Sequence, residues 1–469
     1  MKIEEWIRKL DDLVWGPWLL FLLLGTGMYL MISLRFLPLK NLKFAFDCAL
    51  GRERKAADDV SRQTAAGKKG SSGQISALSS LTTELAATMG TGNIVGVATA
   101  MALGGPGALF WMVVTSLIGM ATKLVESTLS VTYRSRNEAG ETVGGPMYTM
   151  VRALPGKTPG RILGVFFSLF AVLASFGMGN MTQSNSIADA LYVTFQVPKA
   201  ATALAVTLLT ILIVLGGISH IAKLTQLMVP FMGIFYLLGT IAVILTHWRN
   251  LPLAAGGILT AALCPRAVSG GLFGTVLVSA GQSLRWGVSR GIFSNEAGLG
   301  AAGISAAAAD TRDPVKQGYI SMTGVFLDTV VMCSLTGLAL AVSGAFGMTD
   351  AQGAPLTGTA LTLAAFETTL GDWGEKFISV SIVLFAFATI AGWAYQGERA
   401  FEFLMKGKVS YNIWYRFVYA LMAFIGCICS LEVVWNLSDI CNALMAVPNL
   451  LCVLFLSPKV CRQIRNYRQ

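Results

Sequence analysis

Two short runs hold the residues whose types and spacing suit ligand chemistry inside an apolar chain. The first is Met89-Gly90-Thr91-Gly92-Asn93-Ile94-Val95-Gly96, within an apolar stretch over 76–103 that is long enough to cross a bilayer as a helix. Gly90 and Gly92 flank Thr91 near the middle of that stretch, and each disfavours helix by about 1 kcal/mol relative to alanine. Unwound backbone at membrane depth persists only where protein or a water-filled cavity satisfies it. The expectation is a helix broken here: a half ending near Met89 leaves carbonyls for a cation, and a half starting near Gly92 offers N–H groups to a carboxylate. The simpler reading is that Gly92 and Gly96 form a small-xxx-small packing pair. A phosphate-loop or dinucleotide reading is weak, because the third glycine is misplaced and no strand precedes the run.

The second run is Ser294-Asn295, within an apolar segment over 272–309 that is too long for one straight span. Ser294-Asn295 resembles a fresh N-cap, so this helix too is expected to break, with its carbonyls turned to a substrate ammonium. The plainer alternative is a kink with no ligand. Between the two runs, Phe176, Asn180, Gln183 and Ser184 recur at spacings of four and three, which places them on one helical face turned into the bundle. Their amides could instead lie at the outer mouth, simply wet. Thr389 and Trp393, four apart, share a face of a later helix. Arg285 and Arg290 lie deep in the second interrupted segment and each needs a partner, for which Glu296 and Asp328 are the candidates. Lys123 and Glu126, three apart, are expected to neutralise each other, and a role for Glu84 or Glu126 in proton coupling stays open.

The elements that position these residues are membrane spans. The 469 residues are 54% hydrophobic and 13% charged, unlike any ordinary soluble domain. The net charge of +10 does not point to nucleic acid, because the basic residues sit between apolar segments. The eight cysteines are scattered, which predicts neither a zinc site nor a disulfide framework. With two histidines, both near span edges, a histidine proton relay is not expected. The apolar run after the charged N-terminus lacks a small-residue cleavage site and reads as a retained helix.

Eleven transmembrane helices are expected, over 15–34, 76–103, 108–131, 162–192, 200–215, 224–246, 272–309, 317–342, 377–404, 413–429 and 433–456. A basic segment with a Gly/Ser/Lys-rich, flexible tail follows the first. If that segment is cytoplasmic, the inner loops hold about 25 of the 35 Lys and Arg residues and the outer ones about 7. This puts the N-terminus outside and the C-terminus in the cytoplasm. The two interrupted helices open two successive runs of five that cross in opposite directions, a five-plus-five inverted repeat suited to alternating access. The chain then divides into an N-terminal helix with its basic segment (1–76), a first repeat (77–250), an outer connection with the second repeat (251–457) and a basic tail (458–469).

The stretches Gly90-Thr91-Gly92-Asn93-Ile94-Val95-Gly96-Val97-Ala98, Gly104-Gly105-Pro106-Gly107-Ala108-Leu109-Phe110-Trp111-Met112 and Phe293-Ser294-Asn295-Glu296-Ala297-Gly298-Leu299-Gly300, with Gly144-Gly145-Pro146-Met147 and Gly392-Trp393, resemble the bacterial sodium:alanine (glycine) symporter family over nearly the whole chain. The resemblance implies an all-α polytopic membrane protein with a leucine-transporter-like core of ten helices after one extra N-terminal helix. It implies sodium-coupled symport of small neutral amino acids, alanine or glycine first, in a bacterial plasma membrane, by a monomer that needs no cofactor beyond the coupling ion. Glutamine or serine as substrate, or a proton in place of sodium, is the alternative. Thr91, Gly92 and Asn93, with Gln183, Ser294, Asn295, Thr389 and Trp393, would form the substrate site, Trp393 as a wall limiting side-chain size. Sodium would lie between the carbonyls of Ala86 and Met89 and the helix bearing Ala386 and Thr389. An intramembrane enzyme is disfavoured, since no His-Glu-x-x-His, Gly-x-Ser-x-Gly or Gly-x-Gly-Asp run occurs. A sensor is disfavoured by the lack of a soluble signalling domain, and saturable uptake against a gradient would exclude a channel.

Overall fold

The computed structural model describes residues 2–52, 75–264, 267–269, 276–278, 280–350 and 353–468. The flexible tail expected over 67–73 lies outside them. The chain is mostly helical, and among the described residues eight helices are long and apolar enough to cross a membrane. Its exterior is apolar where lipid would lie. On Gly217–Thr246, Leu227, Phe231, Ile234, Leu238 and Leu245 follow one another at spacings of three, four and seven and are exposed. The opposite face (Thr225, Val229, Met232, Tyr236, Thr240) is buried. The interior carries many hydroxyls, amides and several charges, an inversion of the soluble pattern that fits a hydrocarbon solvent.

Helix α1 (Lys2–Val14) precedes α2 (Pro17–Ser33). The first interrupted helix is α3 (Ala77–Thr88) followed by α4 (Val95–Gly104). Helix α5 (Gly107–Thr132) then runs back through the bundle. Next come α6 (Lys157–Phe176), a π segment Gly177–Met181, and α7 (Thr182–Phe195), continuous as one long rod. Helices α8 (Lys199–Leu215) and α9 (Gly217–Thr246) complete the first half.

The second interrupted helix is α10 (Ala280–Asn295) followed by α11 (Ala301–Ala307). It is shorter than the sequence suggests, because 276–278 pair as a strand with Ala267–Ser269. Helix α12 (Pro314–Val325) starts at an Asp313 cap that accepts from the Val315 and Lys316 N–H groups, both at 3.0 Å. It passes through a second π segment, Phe326–Cys333, into α13 (Ser334–Ser343). Helices α14 (Asp372–Leu404), α15 (Asn412–Ile428) and α16 (Leu431–Arg465) end the chain. Connections outside the expected spans also contain helices, among them Leu251–Leu263, Gly358–Leu370 and Pro146–Ala153. Pro252 sits in the first turn of Leu251–Leu263, where a missing N–H is harmless. Helix α5 packs against α10 and α12, while α14 lies against α3 and the α6–α7 rod. The two interruptions therefore share a core.

Candidate functional site

The first interruption keeps its backbone partnered without continuing as helix. Ser76 caps α3, its hydroxyl accepting from the Ser79 N–H at 3.1 Å. After Met89, Gly90 is extended (φ −126°, ψ −153°), and Thr91–Asn93 form one 3₁₀ turn before α4 starts. The Gly90 N–H donates to Asn93 Oδ1 at 2.9 Å, and the Thr91 N–H donates to Gln183 Oε1 at 3.1 Å. Thr389 Oγ1 donates to the Ala86 carbonyl at 3.0 Å. Glycine is required at 90 by proximity, since a Cβ there would lie 2.3 Å from Thr389 Oγ1. The Thr91 hydroxyl is fully buried and has no hydrogen-bond partner among the described residues; it is one of several such buried side-chain atoms, and it lies at the helix break.

At the second interruption, α10 ends at Asn295, and Glu296 (φ +58°), Gly298 (φ +90°) and Gly300 (φ +83°) take left-handed conformations before α11 begins. Lys123 Nζ donates to the Asn295 carbonyl at 3.0 Å, a cation set on the carbonyl end of a helix. Trp393 Nε1 donates to Glu296 Oε1 at 2.7 Å. Asn449 Nδ2 donates to the Gly298 carbonyl at 2.9 Å and to Glu126 Oε2 at 3.0 Å. Ser294-Asn295 is thus the end of a helix rather than a fresh N-cap. Asn295 Oδ1 accepts from the Ala297 N–H at 3.0 Å, closing a local turn, and its Nδ2 donates to Thr329 Oγ1 at 3.1 Å.

Two side-chain sets tie the interruptions together. Asp328, in the second π segment, accepts from Asn93 Nδ2 through Oδ1 at 2.8 Å, and from Ser294 Oγ and Thr329 Oγ1 through Oδ2, each at 2.8 Å. Helix α14 does the same from the other side, with Thr389 on the first interruption and Trp393, one turn on, on the second. A Cβ on Gly92 would sit 3.3 Å from Ser294 Cα, so the first interruption lies against the last turn of α10. Thr91, Asn93, Gln183, Ser294, Asn295, Thr389 and Trp393 are all buried together.

Of the shared face expected for Phe176, Asn180, Gln183 and Ser184, the structure keeps Phe176, Asn180 and Ser184 together on the side of Tyr415 and Tyr419 and turns Gln183 to the first interruption. The π segment rotates the rod, leaving Gln183 on the first interruption while Asn180 Nδ2 donates to the Tyr419 carbonyl at 2.6 Å. Ser184 Oγ donates to Asn180 Oδ1 at 3.1 Å, and Phe176 stacks on Tyr415 at 5.6 Å between centroids. Single π turns are rare and gather at functional sites; here one precedes Gln183, which accepts from the Thr91 N–H, and the other contains Asp328, which accepts from the Asn93 and Ser294 side chains.

Of the oxygen ligands expected for sodium, Ala86 O and Thr389 Oγ1 are adjacent. Met89 stands at the C-terminal cap of α3, and Ala386 is buried one turn before Thr389. Among the described residues no three His, Cys, Asp or Glu side chains converge on a metal position. The Ala86 carbonyl and the Thr389 hydroxyl are oxygen groups of the kind that hard cations accept.

The charged residues pair differently from expectation. Arg290 forms a buried ion pair with Asp439 on α16 and lies 4.7 Å from the Trp435 ring centroid. Arg285 pairs with Asp12 of α1 at 2.5 Å. Glu296 and Asp328 instead serve Trp393 and the two interruptions. Lys123 clasps the Asn295 carbonyl, and Glu126 receives Asn449 rather than the lysine three residues away. Sequence reasoning marked Asp328 and Glu296 as intramembrane acids, but local spacing carries no sign of a lysine reaching a helix end 172 residues on.

The model of the sodium:alanine symporter family matches residues 1–469. The sodium/alanine symporter AgcS of Methanococcus maripaludis is 42% identical over 100% of this chain and 98% of its own length. A Bacillus subtilis relative described as "Probable sodium/glutamine symporter GlnT" is 34% identical over 99% of this chain and 91% of its own. Among solved structures, MhsT in complex with L-phenylalanine shares the fold at TM-score 0.57, covering 84% of this chain and 99% of that one, at 13% identity.

Proposed function

The chain belongs to the sodium:alanine symporter family, and from that premise we propose that it carries alanine and glycine into the cell with sodium by alternating access. Family membership makes it a multi-pass membrane transporter for sodium-coupled amino-acid symport. The finer reading rests on one observation above all: a buried, unpartnered Thr91 hydroxyl at the place where two unwound helices meet.

In this reading the amino-acid carboxylate lies on the Thr91-Gly92-Asn93 backbone, with the Thr91 hydroxyl as a further donor and Gln183 beside it. The ammonium faces the carbonyl end of α10 at Ser294 and Asn295, and Trp393 limits the side chain. Sodium takes the carbonyls of Ala86, Met89 and Ala386 together with Thr389 Oγ1, which then accepts the ion in place of donating to Ala86. The topology is eleven spans: the eight long helices, α8 and the two interrupted pairs, arranged five plus five after α2. The N-terminus is outside and the C-terminus in the cytoplasm of a bacterial plasma membrane.

A zwitterion brings no net charge, so the ion supplies the electrical drive. One charge moving down about 100 mV releases about 2.3 kcal/mol. At about 1.4 kcal/mol per decade, that sustains roughly 50-fold accumulation before any sodium gradient is counted.

Proteoliposomes loaded with alanine test the reading by exchange of labelled alanine, with and without sodium, against glycine, serine and glutamine as competitors. Sodium-dependent exchange, blocked best by alanine and glycine, is expected. Thr91→Val should lose most uptake while still inserting. Exchange that ignores alanine overturns the substrate, exchange that ignores sodium overturns the coupling ion, and unchanged uptake by Thr91→Val overturns the site. The glutamine reading, which the GlnT-like relative keeps alive, would show as the strongest competition by glutamine.

A further inference from the structure

Glu296 occupies a backbone conformation that a glutamate adopts at a disadvantage. Its φ of +58° lies in the left-handed region, where side chains other than those of Asn, Asp and Gly are uncommon. Yet it follows Asn295 within a run that already supplies Gly298 and Gly300 at positive φ. What this position uses is the side chain. Glu296 Oε1 receives the Trp393 indole N–H at 2.7 Å, and Oε2 has no hydrogen-bond partner among the described residues, so among them Trp393 supplies the carboxylate's one side-chain hydrogen bond. The indole is held from behind as well. In the π segment before α7, a Cβ on Gly179 would lie 2.4 Å from Trp393 Cβ and 2.5 Å from its Cγ, which leaves the ring no way back toward that segment. Thr389, one turn earlier on the same helix, grips the first interruption. The ring is thus fixed at three points: its own helix, the Gly179 notch and the Glu296 acceptor.

We propose that Glu296 is a positioning residue for substrate selectivity, holding Trp393 across the pocket so that only small neutral amino acids fit. This rests on the reading of Trp393 as the pocket wall. An indole whose N–H loses its acceptor in a buried site seeks another one and changes rotamer. The pocket then opens, and larger apolar side chains gain relative to alanine.

The test is uptake by the full-length protein in proteoliposomes, with kcat/KM measured for alanine and for leucine. Glu296→Ala should lower the alanine-to-leucine ratio about tenfold, the scale that pocket contacts of this size supply. The change should come through a fall in KM for leucine, which general loosening of the fold would not give. Glu296→Gln, whose amide oxygen still accepts the indole N–H, should restore the ratio. Trp393→Phe removes the donor from the other side and should reproduce the Glu296→Ala shift, and the double variant should add nothing further. An unchanged ratio in Glu296→Ala, or additive shifts in the double variant, overturns the proposal. If Glu296→Ala does not insert, Trp393→Phe decides: an unchanged ratio there overturns it equally. Wild-type protein that does not prefer alanine to leucine would instead sink the functional reading, before any variant is compared.

Discussion

The two interruptions solve one problem with different chemistry. At the first, bare backbone is met by neutral groups: Asn93 on Gly90, Gln183 on Thr91, Thr389 on Ala86. Its critical glycine, Gly90, is there for closeness, with φ at −126° and Thr389 where a Cβ would be. At the second, charged groups do the holding: Lys123 on the Asn295 carbonyl, Glu296 on Trp393, Glu126 on the Asn449 that binds Gly298. Its glycines are there for left-handed φ. The first interruption keeps a free hydroxyl and can trade a neutral partner for a ligand without stranding a charge. The second is a frame, because releasing any of its clasps leaves an ion alone in a low-dielectric interior. Asp328 spans the two, one oxygen serving each.

The strongest way to break this contrast is to strip a clasp from each side. Lys123→Met removes the cation over the Asn295 carbonyl, whose charge also attracts the Glu126 and Glu296 carboxylates through space without an ion-pair contact. A loss of about 3–5 kcal/mol is expected, as when one partner of a buried charge arrangement is deleted. Gln183→Leu at the first interruption bares one N–H group and should cost about 1–3 kcal/mol. Thermal unfolding of both purified variants in detergent reads the difference. Equal losses would mean that charge does not distinguish the two regions.

Most spans and both interruptions were legible in the sequence because glycine at mid-span and a segment too long for one crossing have few explanations in hydrocarbon. Thr91, Asn93, Gln183, Ser294, Asn295, Thr389 and Trp393 are each buried, and hydrogen bonds link Thr91 to Gln183 and, through Asp328, Asn93 to Ser294. What did not show was anything set by distant partners. The π segments change helical phase without a local sequence mark, and Gln183 leaves the face that Phe176, Asn180 and Ser184 share. Arg290 was assigned acids nearby in sequence, while its partner lies on α16, 149 residues away. Helices Leu251–Leu263 and Gly358–Leu370 fall outside the expected spans because each, at 13 residues, is too short to cross a bilayer.

A pair of glycine substitutions sharpens the contrast at smaller magnitude. Gly90→Ala pushes a methyl into Thr389 Oγ1 and should cost about 1–3 kcal/mol by overpacking. Because it moves Thr389 off Ala86, it should also raise the sodium concentration for half-maximal uptake. Gly298→Ala meets side chains no nearer than 3.2 Å but holds φ at +90°, so strain of about 1–2 kcal/mol is expected. It lies away from Thr389 and should leave the sodium dependence alone. A sodium shift in Gly298→Ala as large as in Gly90→Ala would erase the division of labour.

The finest test compares two isosteric replacements within the first interruption, where a threonine hydroxyl either bonds the protein or does not. Thr389 Oγ1 donates to Ala86, so Thr389→Val forfeits a buried hydrogen bond and should cost about 0.5–1.5 kcal/mol. Thr91 Oγ1 has no partner to lose among the described residues. Thr91→Val exchanges an unsatisfied hydroxyl for a methyl of similar shape, and its unfolding temperature in ligand-free detergent should stay at or slightly above that of the wild type. Adding alanine and sodium should then stabilise the wild type by mass action and Thr91→Val much less. If Thr91→Val is destabilised as much as Thr389→Val without ligand, the Thr91 hydroxyl belongs to the fold, and the neutral interruption would have no group reserved for a substrate.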